Sequence, residues 1–195
     1  MHTLQSVLMT TSRPLQPSLW RTCRVLANRT RLRLLDLLLK EPGLTVSAAA
    51  QRLDLTLPVA SQSLRALEAR GLLMARRSGR WVRYQPPVED AAGPAALLMS
   101  ALRLAFQREA RPDEKIFKLA TAFTHPRRIE VFRLLKEQAR DFRQLKTTTR
   151  LSGWALRRHL RKLEARGFVA HRQSHYVAAQ AKGAVERTLA RLAAE

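Results

Sequence analysis

The sequence contains one five-residue stretch twice, and this repeat constrains the fold more than any other feature. Leu-Glu-Ala-Arg-Gly occupies 67–71 and again 163–167, ninety-six positions further along the chain. The surrounding segments SLRALEARGLL and HLRKLEARGFV place leucines at the same spacing. Upstream, RLRLLDLLL matches RRIEVFRLL with Leu34 over Val131, an offset one residue larger. The chain is therefore predicted to contain two copies of one unit, with one residue gained or lost in an intervening turn.

The first copy begins with three predicted helices. LWRTCRVLAN has the apolar periodicity of a short helix, and NRTRLRLLDLLLK follows as a second helix. Asn28 or Thr30 is the candidate N-cap of the second helix, and Thr45 is the candidate N-cap of a third helix in TVSAAAQRL. The segment LDLT then predicts a tight turn that leads into a fourth helix.

The fourth helix is predicted to run from Leu57 to Arg70. Thr56 is its candidate cap, and Pro58 lies in its first turn, where a missing N–H costs nothing. Gly71 is placed to end it in the left-handed conformation. Two short strands, LLMARR and RWVRYQ, follow around a Ser-Gly turn. Helices, a tight turn, another helix and a β-hairpin are the order of a winged helix-turn-helix.

The predicted fold class is therefore mainly α with small β-hairpin wings, in two tandem winged helix-turn-helix domains. The Pro- and Gly-bearing segment PPVEDAAGP predicts a boundary, and AALLMSALRLAFQREA predicts a connecting helix. The predicted organisation is a flexible N-terminal segment over 1–15, a first domain over 16–86, a linker and connecting helix over 87–111, and a second domain with a C-terminal helix over 112–195. We call these two domains unit one and unit two.

Unit one carries a whole-domain pattern in LANRTRLRLLDLL, VSAAAQRLDLTLPVASQSLRALEARGLL and RRSGRWVRYQ. This pattern resembles the ArsR-type winged helix-turn-helix transcriptional regulators. FTHPRRIEVFRLL and LKTTTRLSGWALRRHLRKLEARGFV resemble the same family more loosely in unit two. The resemblance implies a recognition helix that enters the DNA major groove and a wing on the neighbouring backbone. It also implies homodimers formed through the first and last helices.

The net charge indicates a polyanionic partner. The chain has 36 Lys and Arg against 15 Asp and Glu, a formal charge of +21 at pH 7. Most of the basic residues are Arg, which forks onto phosphates and guanine edges, although a GC-rich genome also enriches Arg and Ala. No signal peptide is recognised, and no apolar run approaches about eighteen residues. We therefore expect a cytoplasmic, nucleoid-associated protein that does not enter a membrane.

Metal sensing, which many members of the resembled family perform, is not supported by the sequence. Cys23, the only cysteine, lies among apolar neighbours and is predicted to be buried. The helix over 95–110 contains no His and no Cys, and His171 and His175 flank a hairpin turn, where DNA contact or solvation is favoured over zinc. No Gly-rich phosphate loop, HExxH or GxSxG motif is present. We expect no metal, no cofactor and no enzymatic activity.

The recognition helices are each predicted to bury one apolar stripe and to expose the opposite face. The stripes are Ala60, Leu64 and Leu67 in unit one and Leu156, Leu160 and Leu163 in unit two. The predicted DNA-binding residues of the first helix are Thr56, Ser61, Gln62 and Arg65. Those of the second helix are Ser152, Trp154, Arg157, Arg158, Arg161 and Lys162, with His159 at the margin. Gln bonds bidentately to adenine and Arg to guanine, but Arg and Lys also bind phosphates without reading sequence.

The wings supply a second set of candidate DNA-binding residues. For the helices and the wings alike, the alternative is that these charged residues only form a solvated surface. Wing one is predicted to bind DNA through Arg76, Arg77, Arg80 and Arg83, and wing two through His171, Arg172 and His175. Arg at such a tip typically enters a narrow minor groove or contacts its phosphates. For Trp154, packing against the preceding helix is favoured over DNA contact. Trp20 and Trp81 are expected in the core or at a domain contact.

Together these features predict a sequence-specific double-stranded DNA-binding transcriptional regulator, with repression as the expected action. The alternative is a non-specific architectural or nucleoid protein that binds DNA or RNA. We expect either a monomeric pseudo-dimer or a homodimer. In the pseudo-dimer, a shared helical layer is formed by 16–27, 95–110, 112–123 and 181–194. A further hypothesis places sequence specificity mainly in unit one and sequence-independent affinity mainly in unit two.

Overall fold

The computed structural model of the chain describes residues 18–88 and 92–195. The segment 1–15, predicted to be flexible, lies outside the described residues. The elements of unit one and the connecting helix are α1 (Leu19–Leu26), α2 (Arg29–Lys40), β1 (Leu44–Thr45), α3 (Val46–Arg52), α4 (Leu57–Glu68), β2 (Met74–Ser78), β3 (Trp81–Gln85) and α5 (Pro94–Arg108).

Unit two repeats this order. Its elements are α6 (Pro112–Ala120), α7 (Pro126–Glu137), β4 (Arg140–Asp141), α8 (Phe142–Thr149), α9 (Gly153–Glu164), β5 (Val169–Arg172), β6 (His175–Ala178) and α10 (Ala184–Ala194). The predicted fold class is confirmed: small antiparallel hairpins accompany a mainly helical chain with two helix-turn-helix domains in tandem. The recognition helices are α4 and α9.

Each wing is the hairpin of a three-stranded sheet. In unit one the strand order is β1-β3-β2, and in unit two it is β4-β6-β5. The short first strand follows a turn of three residues, 41–43, in unit one, but only two residues, 138–139, in unit two. The residue missing from this turn in unit two explains why the two copies are offset by one residue more before the turn than after it. This agrees with the residue gain or loss that the sequence predicted.

The helix caps largely follow the sequence. The Asn28 side chain, rather than Thr30, accepts a hydrogen bond from Arg31 N at 3.0 Å, and Thr45 Oγ1 accepts one from Ala48 N at 3.2 Å. Thr56 occupies the N-cap position of α4 as predicted, but its side chain makes no cap hydrogen bond. Its counterpart Ser152 does cap α9.

The repeated Leu-Glu-Ala-Arg-Gly stretch ends both recognition helices in the same way. Gly71 and Gly167 have φ angles of +68° and +79°, in the left-handed region where a Cβ is strained. Leu72 N donates to Leu67 O at 3.1 Å, and Phe168 N donates to Leu163 O at 3.0 Å. These bonds close a Schellman motif in each unit, so the predicted helix ends are confirmed.

The two units pack against each other through one helical layer. Helix α6 contacts α1 and α5, and α10 contacts both α5 and α6. These are the helices of the layer predicted from the sequence. A single cluster of buried apolar residues runs through both units and includes Cys23, which is buried as predicted. The layer fixes the two recognition helices within one folded body.

The chain offers no membrane-spanning candidate within the described ranges, because no helix there is both long and apolar enough to cross a bilayer.

Candidate nucleic-acid interface

Helix α4 presents a mixed polar and apolar surface. Its buried face consists of Ala60, Ser63, Leu64 and Leu67, which contains the predicted stripe. On the opposite side Gln62 and Arg65 are exposed, and Ser61 is half-buried. The preceding residue Thr56 is exposed as well. The four predicted contact residues of this helix therefore lie away from the core.

The start of α4 also exposes apolar side chains that the sequence analysis did not include. Leu57 is 56% exposed and Val59 is 42% exposed. Leu57 lines a shallow depression together with Pro58, Gln62 and Val46 of α3. Both exposed side chains lie off the buried stripe of the helix, and this signal was already present in the sequence. Exposed apolar groups beside an amide resemble a surface for thymine methyl groups and adenine edges.

Helix α9 presents a strongly basic surface at the equivalent positions. Arg157, Arg158 and Arg161 are exposed on the side opposite the buried leucines. The Arg157 guanidinium lies over the Phe142 ring of α8, 5.2 Å from its centroid. The attraction between the cation and the ring face favours this position of the guanidinium. Ser152 is exposed at the start of the helix.

Trp154 does not pack against the preceding helix, so the favoured expectation for it was wrong. Its side chain is 71% exposed. The Arg158 guanidinium lies over the indole, 4.8 Å from the ring centroid. The first turn of α9 points the indole outward because its inward positions are already occupied by the leucine stripe. Trp154 and Arg158 form one exposed aromatic and cationic pair at the start of the recognition helix.

His159 is part of the core, although the sequence placed it at the margin of the exposed face. It is only 2% exposed, and its ring centroid lies 5.0 Å from that of His125, the residue before α7. Burial, then the charges of His125, Arg128 and Arg158, lowers the pKa of His159 to about 4. Burial first, followed by the nearby guanidiniums, also lowers the pKa of His125. Both imidazoles are therefore neutral near pH 7.

Lys162 differs from the other predicted contacts of α9. It is half-buried, whereas Arg161 beside it is exposed. Burial, then the charges of Arg166 and Arg128, lowers the pKa of Lys162. The ammonium therefore lies on a partly buried flank of α9, near the cations of Arg128 and Arg166.

Wing one is an exposed basic hairpin with an aromatic residue at its tip. Arg76, Arg77, Arg80 and Arg83 are all exposed. The expectation that Trp81 is a core or contact residue is wrong, because it is 47% exposed, with the Arg80 guanidinium 5.0 Å from its ring centroid. Trp20 is half-buried in α1.

Wing two carries fewer cations and has two side-chain contacts of its own. His171 stacks on Tyr176 with ring centroids 4.3 Å apart, and Ser174 Oγ lies 3.1 Å from His175 Nδ1. Arg172 and both histidines are exposed. No group of three or more His, Cys, Asp or Glu side chains that could hold a metal ion occurs within 18–88 or 92–195.

A buried or half-buried tyrosine connects each recognition helix with its wing. Burial and then the Glu68 carboxylate raise the pKa of Tyr84 in β3, and burial and then Glu164 raise that of Tyr176 in β6. Among the described residues no salt bridge includes Glu68 or Glu164. The repeated glutamate therefore faces the sheet of its own wing.

Comparison with known families agrees with this architecture. Residues 26–76 match the family model described as a helix-turn-helix domain, and residues 125–171 match the one described as bacterial regulatory protein, arsR family. Each match covers a recognition helix and reaches the first strand of its wing. The search of curated proteins and the search of solved structures gave no match.

Proposed function

Because the chain carries two ArsR-type helix-turn-helix domains in tandem, we propose that it is a sequence-specific regulator of transcription. It binds double-stranded DNA with both recognition helices in major grooves, acts as a repressor and needs no metal. One observation carries this proposal: α4 and α9 each bury a stripe against their own unit and expose polar or basic side chains opposite it. A net charge of +21 supplies the attraction to phosphate.

The chain acts as a pseudo-dimer in this proposal. The shared layer of α1, α5, α6 and α10 supports the proposal, because one chain already joins two recognition helices. Two half-sites about 10 base pairs apart are expected, since the recognition helices of a pair enter successive major grooves. The half-sites are unlike, because the two helices expose different side chains.

The two units divide recognition between them. In unit one, Gln62 pairs with adenine, and Leu57 and Val59 contact thymine methyl groups. In unit two, the exposed Arg157, Arg158 and Arg161 bind mainly phosphates, which contribute affinity without sequence preference. The wings add phosphate or minor-groove contacts, more of them from wing one.

Selection of bound duplexes from a random pool, at about 0.15 M salt, tests the function. We expect an enriched motif with two unlike half-sites, of which the more strongly specified one is rich in A·T pairs. An architectural protein, the second candidate, is favoured by the large net charge, and it would retain the pool without enriching any motif.

Sedimentation of the protein with and without a selected duplex tests the pseudo-dimer. We expect one chain of 22.2 kDa on each site. An obligate homodimer in which unit one of one chain pairs with unit one of its partner would contradict this arrangement and leave DNA binding intact.

A further inference from the structure

Arg70 and Arg166 occupy the same position of the repeated stretch, but their surroundings differ. Arg166 Nε donates a hydrogen bond to Thr121 Oγ1 at 2.7 Å, at the end of α6. Arg70 Nε is buried and has no hydrogen-bond partner among the residues that the structure describes. A buried donor without a partner is destabilising, because it loses its hydrogen bonds to water and gains none in return. Unit one therefore has an unsatisfied donor at a position where unit two supplies its own acceptor.

A second difference concerns the helices that follow the wings. At the start of α10, the Glu186 carboxylate accepts hydrogen bonds from Gly183 N at 2.7 Å and from Lys182 N at 2.9 Å. Helix α5 begins at Pro94, after Gly93, with no side-chain cap and no acidic residue in its first turn. Within the described residues, the positive end of this helix of 15 residues thus has no capping carboxylate of the kind that α10 has.

Arg70 and the residues at the start of α5 line one cavity of about 480 Å³. It lies between α1, the residues after α4, the start of α5 and the end of α10. Arg70, Gly93 and Ala95 line one side, together with Ser18, whose buried Oγ also has no partner in the described part of the chain. A guanidinium, a hydroxyl and a helix N-terminus around one space favour an anion.

The rest of the cavity wall is largely apolar. Leu19, Leu98 and Leu192 come from three different helices of the shared layer. Glu195 also lines the cavity, and its carboxylate is paired with Arg191 Nε at 3.4 Å. The volume lies within the range of about 300–1,000 Å³ that is typical of small-molecule sites. A ligand with one anionic end and an aliphatic or aromatic body fits both halves of the wall.

We propose that this cavity binds a small organic carboxylate, with its carboxylate at Arg70 and the start of α5 and its apolar body against the leucines. The bound carboxylate takes the role that Glu186 and the Thr121 hydroxyl have in unit two. This site is separate from the exposed faces of α4 and α9, and its occupancy does not depend on DNA binding.

Calorimetric titration of the DNA-free protein with octanoate, at about 0.15 M salt, tests the site. The neutral amide of the same chain length serves as the probe control. We expect one octanoate per chain, with binding at least roughly tenfold weaker for the amide and for Arg70→Gln, since each loses a charge-assisted hydrogen bond. Arg166→Gln removes the same charge elsewhere, and we expect it to leave octanoate binding unchanged.

A second variant protects the test against misfolding of Arg70→Gln. Ser18→Leu adds volume inside the cavity without changing charge, and we expect it to abolish octanoate binding while the circular dichroism spectrum stays unchanged. The proposal is overturned by any of three results: no saturable octanoate binding, equal binding of octanoate and its amide, or equal loss in the Arg70 and Arg166 variants. Full binding by Ser18→Leu would overturn it as well.

Discussion

Unit one and unit two carry unlike side chains at equivalent positions of their recognition helices. At these positions α4 has Leu57, Pro58, Ser61 and Gln62, and α9 has Gly153, Trp154, Arg157 and Arg158. Both recognition helices have a buried apolar stripe, and both end at a glycine with a positive φ angle. The duplicated fold therefore preserves the residues that build the helix, while the surface that meets a partner has diverged.

The wings differ in the opposite direction. Wing one carries four exposed arginines, whereas wing two carries one arginine and two histidines. The unit with the less basic helix thus has the more basic wing. Each unit thus exposes a cluster of positive charge, but on a different element. In the proposed mode of binding, this difference makes base preference and backbone affinity separable.

The largest effect is expected from removing the cations of α9. Arg157→Ala with Arg158→Ala should weaken binding to every duplex roughly a hundredfold, because each charge-assisted hydrogen bond contributes about 1.5 kcal/mol. The slope of log affinity against log salt should fall by about 0.9 for each phosphate that the variant no longer neutralises. Fluorescence anisotropy at several salt concentrations measures both quantities.

The matched control for that double variant is Arg33→Ala with Arg133→Ala. These exposed arginines lie on α2 and α7, outside the recognition helices, so the same charge is removed. We expect only a small change in affinity. If the α9 variant lost affinity for the selected motif alone, the assignment of sequence-independent affinity to unit two would be wrong.

Acid should destabilise the chain through unit two. The pKa of His159 is about 4 in the folded protein, against about 6.5 when unfolded. Between these values the unfolded chain binds more protons, so the free energy of unfolding falls as the pH drops from about 6.5 toward 4, by about 1–3 kcal/mol. Urea unfolding at pH 7.5 and pH 5 measures the change.

His159→Ser should remove most of this pH dependence, because Ser63 is the equivalent buried residue of α4 and does not titrate. His125, Arg128 and Arg158, which surround the imidazole, remain in the variant. The exposed His175→Ser is the control and should leave the pH dependence as it is. An unchanged dependence in the His159 variant would assign the acid sensitivity to another group.

Base preference should respond most to Gln62. Gln62→Ala is expected to weaken binding to the selected motif about tenfold, within the range of about 1–3 kcal/mol for a bidentate base contact, and to leave non-specific binding unchanged. Gln62→Arg places at this proposed base-reading position a side chain that pairs bidentately with guanine, and should shift the preferred base from adenine to guanine. Repeating the selection with each variant shows the outcome. A motif that stays unchanged would exclude Gln62 from base recognition.

The smallest effect is expected from the apolar start of α4. Replacing a contacted thymine by uracil removes one methyl group, which should weaken binding about fourfold, because about 0.8 kcal/mol of apolar burial disappears with it. In the double variant Leu57→Ala with Val59→Ala, replacing thymine by uracil should weaken binding little further, because the apolar side chains that contact the methyl group have been removed. Uracil scanning along both half-sites measures this. Equal sensitivity of the wild type and the variant would exclude contacts of these side chains with thymine.

Much of the fold was predictable because its signals are local. The 3.6-residue periodicity identifies the stripe around Leu64 and its counterpart around Leu160, and a glycine at the required left-handed position ends each recognition helix. The positions of Gln62 and Arg65 on the outer face follow from the same periodicity. The predicted contacts of unit two follow likewise, apart from the half-buried flank position of Lys162.

Other features depend on what the opposite element supplies, and periodicity does not contain that information. Trp154 is exposed because the inward positions of α9 are filled, whereas His159 is buried because the start of α7 brings His125 against it. Trp81 lies at an exposed hairpin tip that no described element covers. In each case the residue type suggested the wrong environment.

The repeated Leu-Glu-Ala-Arg-Gly stretch shows the division most clearly. The sequence alone determined where α4 and α9 end, because the positive φ angle of the glycine and the spacing of the leucines depend on residues that are close in sequence. Only the tertiary structure decided the surroundings of the arginine, which bonds to Thr121 in unit two and lines a cavity in unit one. The physical reason is that backbone conformation is fixed by neighbours in sequence, whereas the partner of a long polar side chain is fixed by neighbours in space.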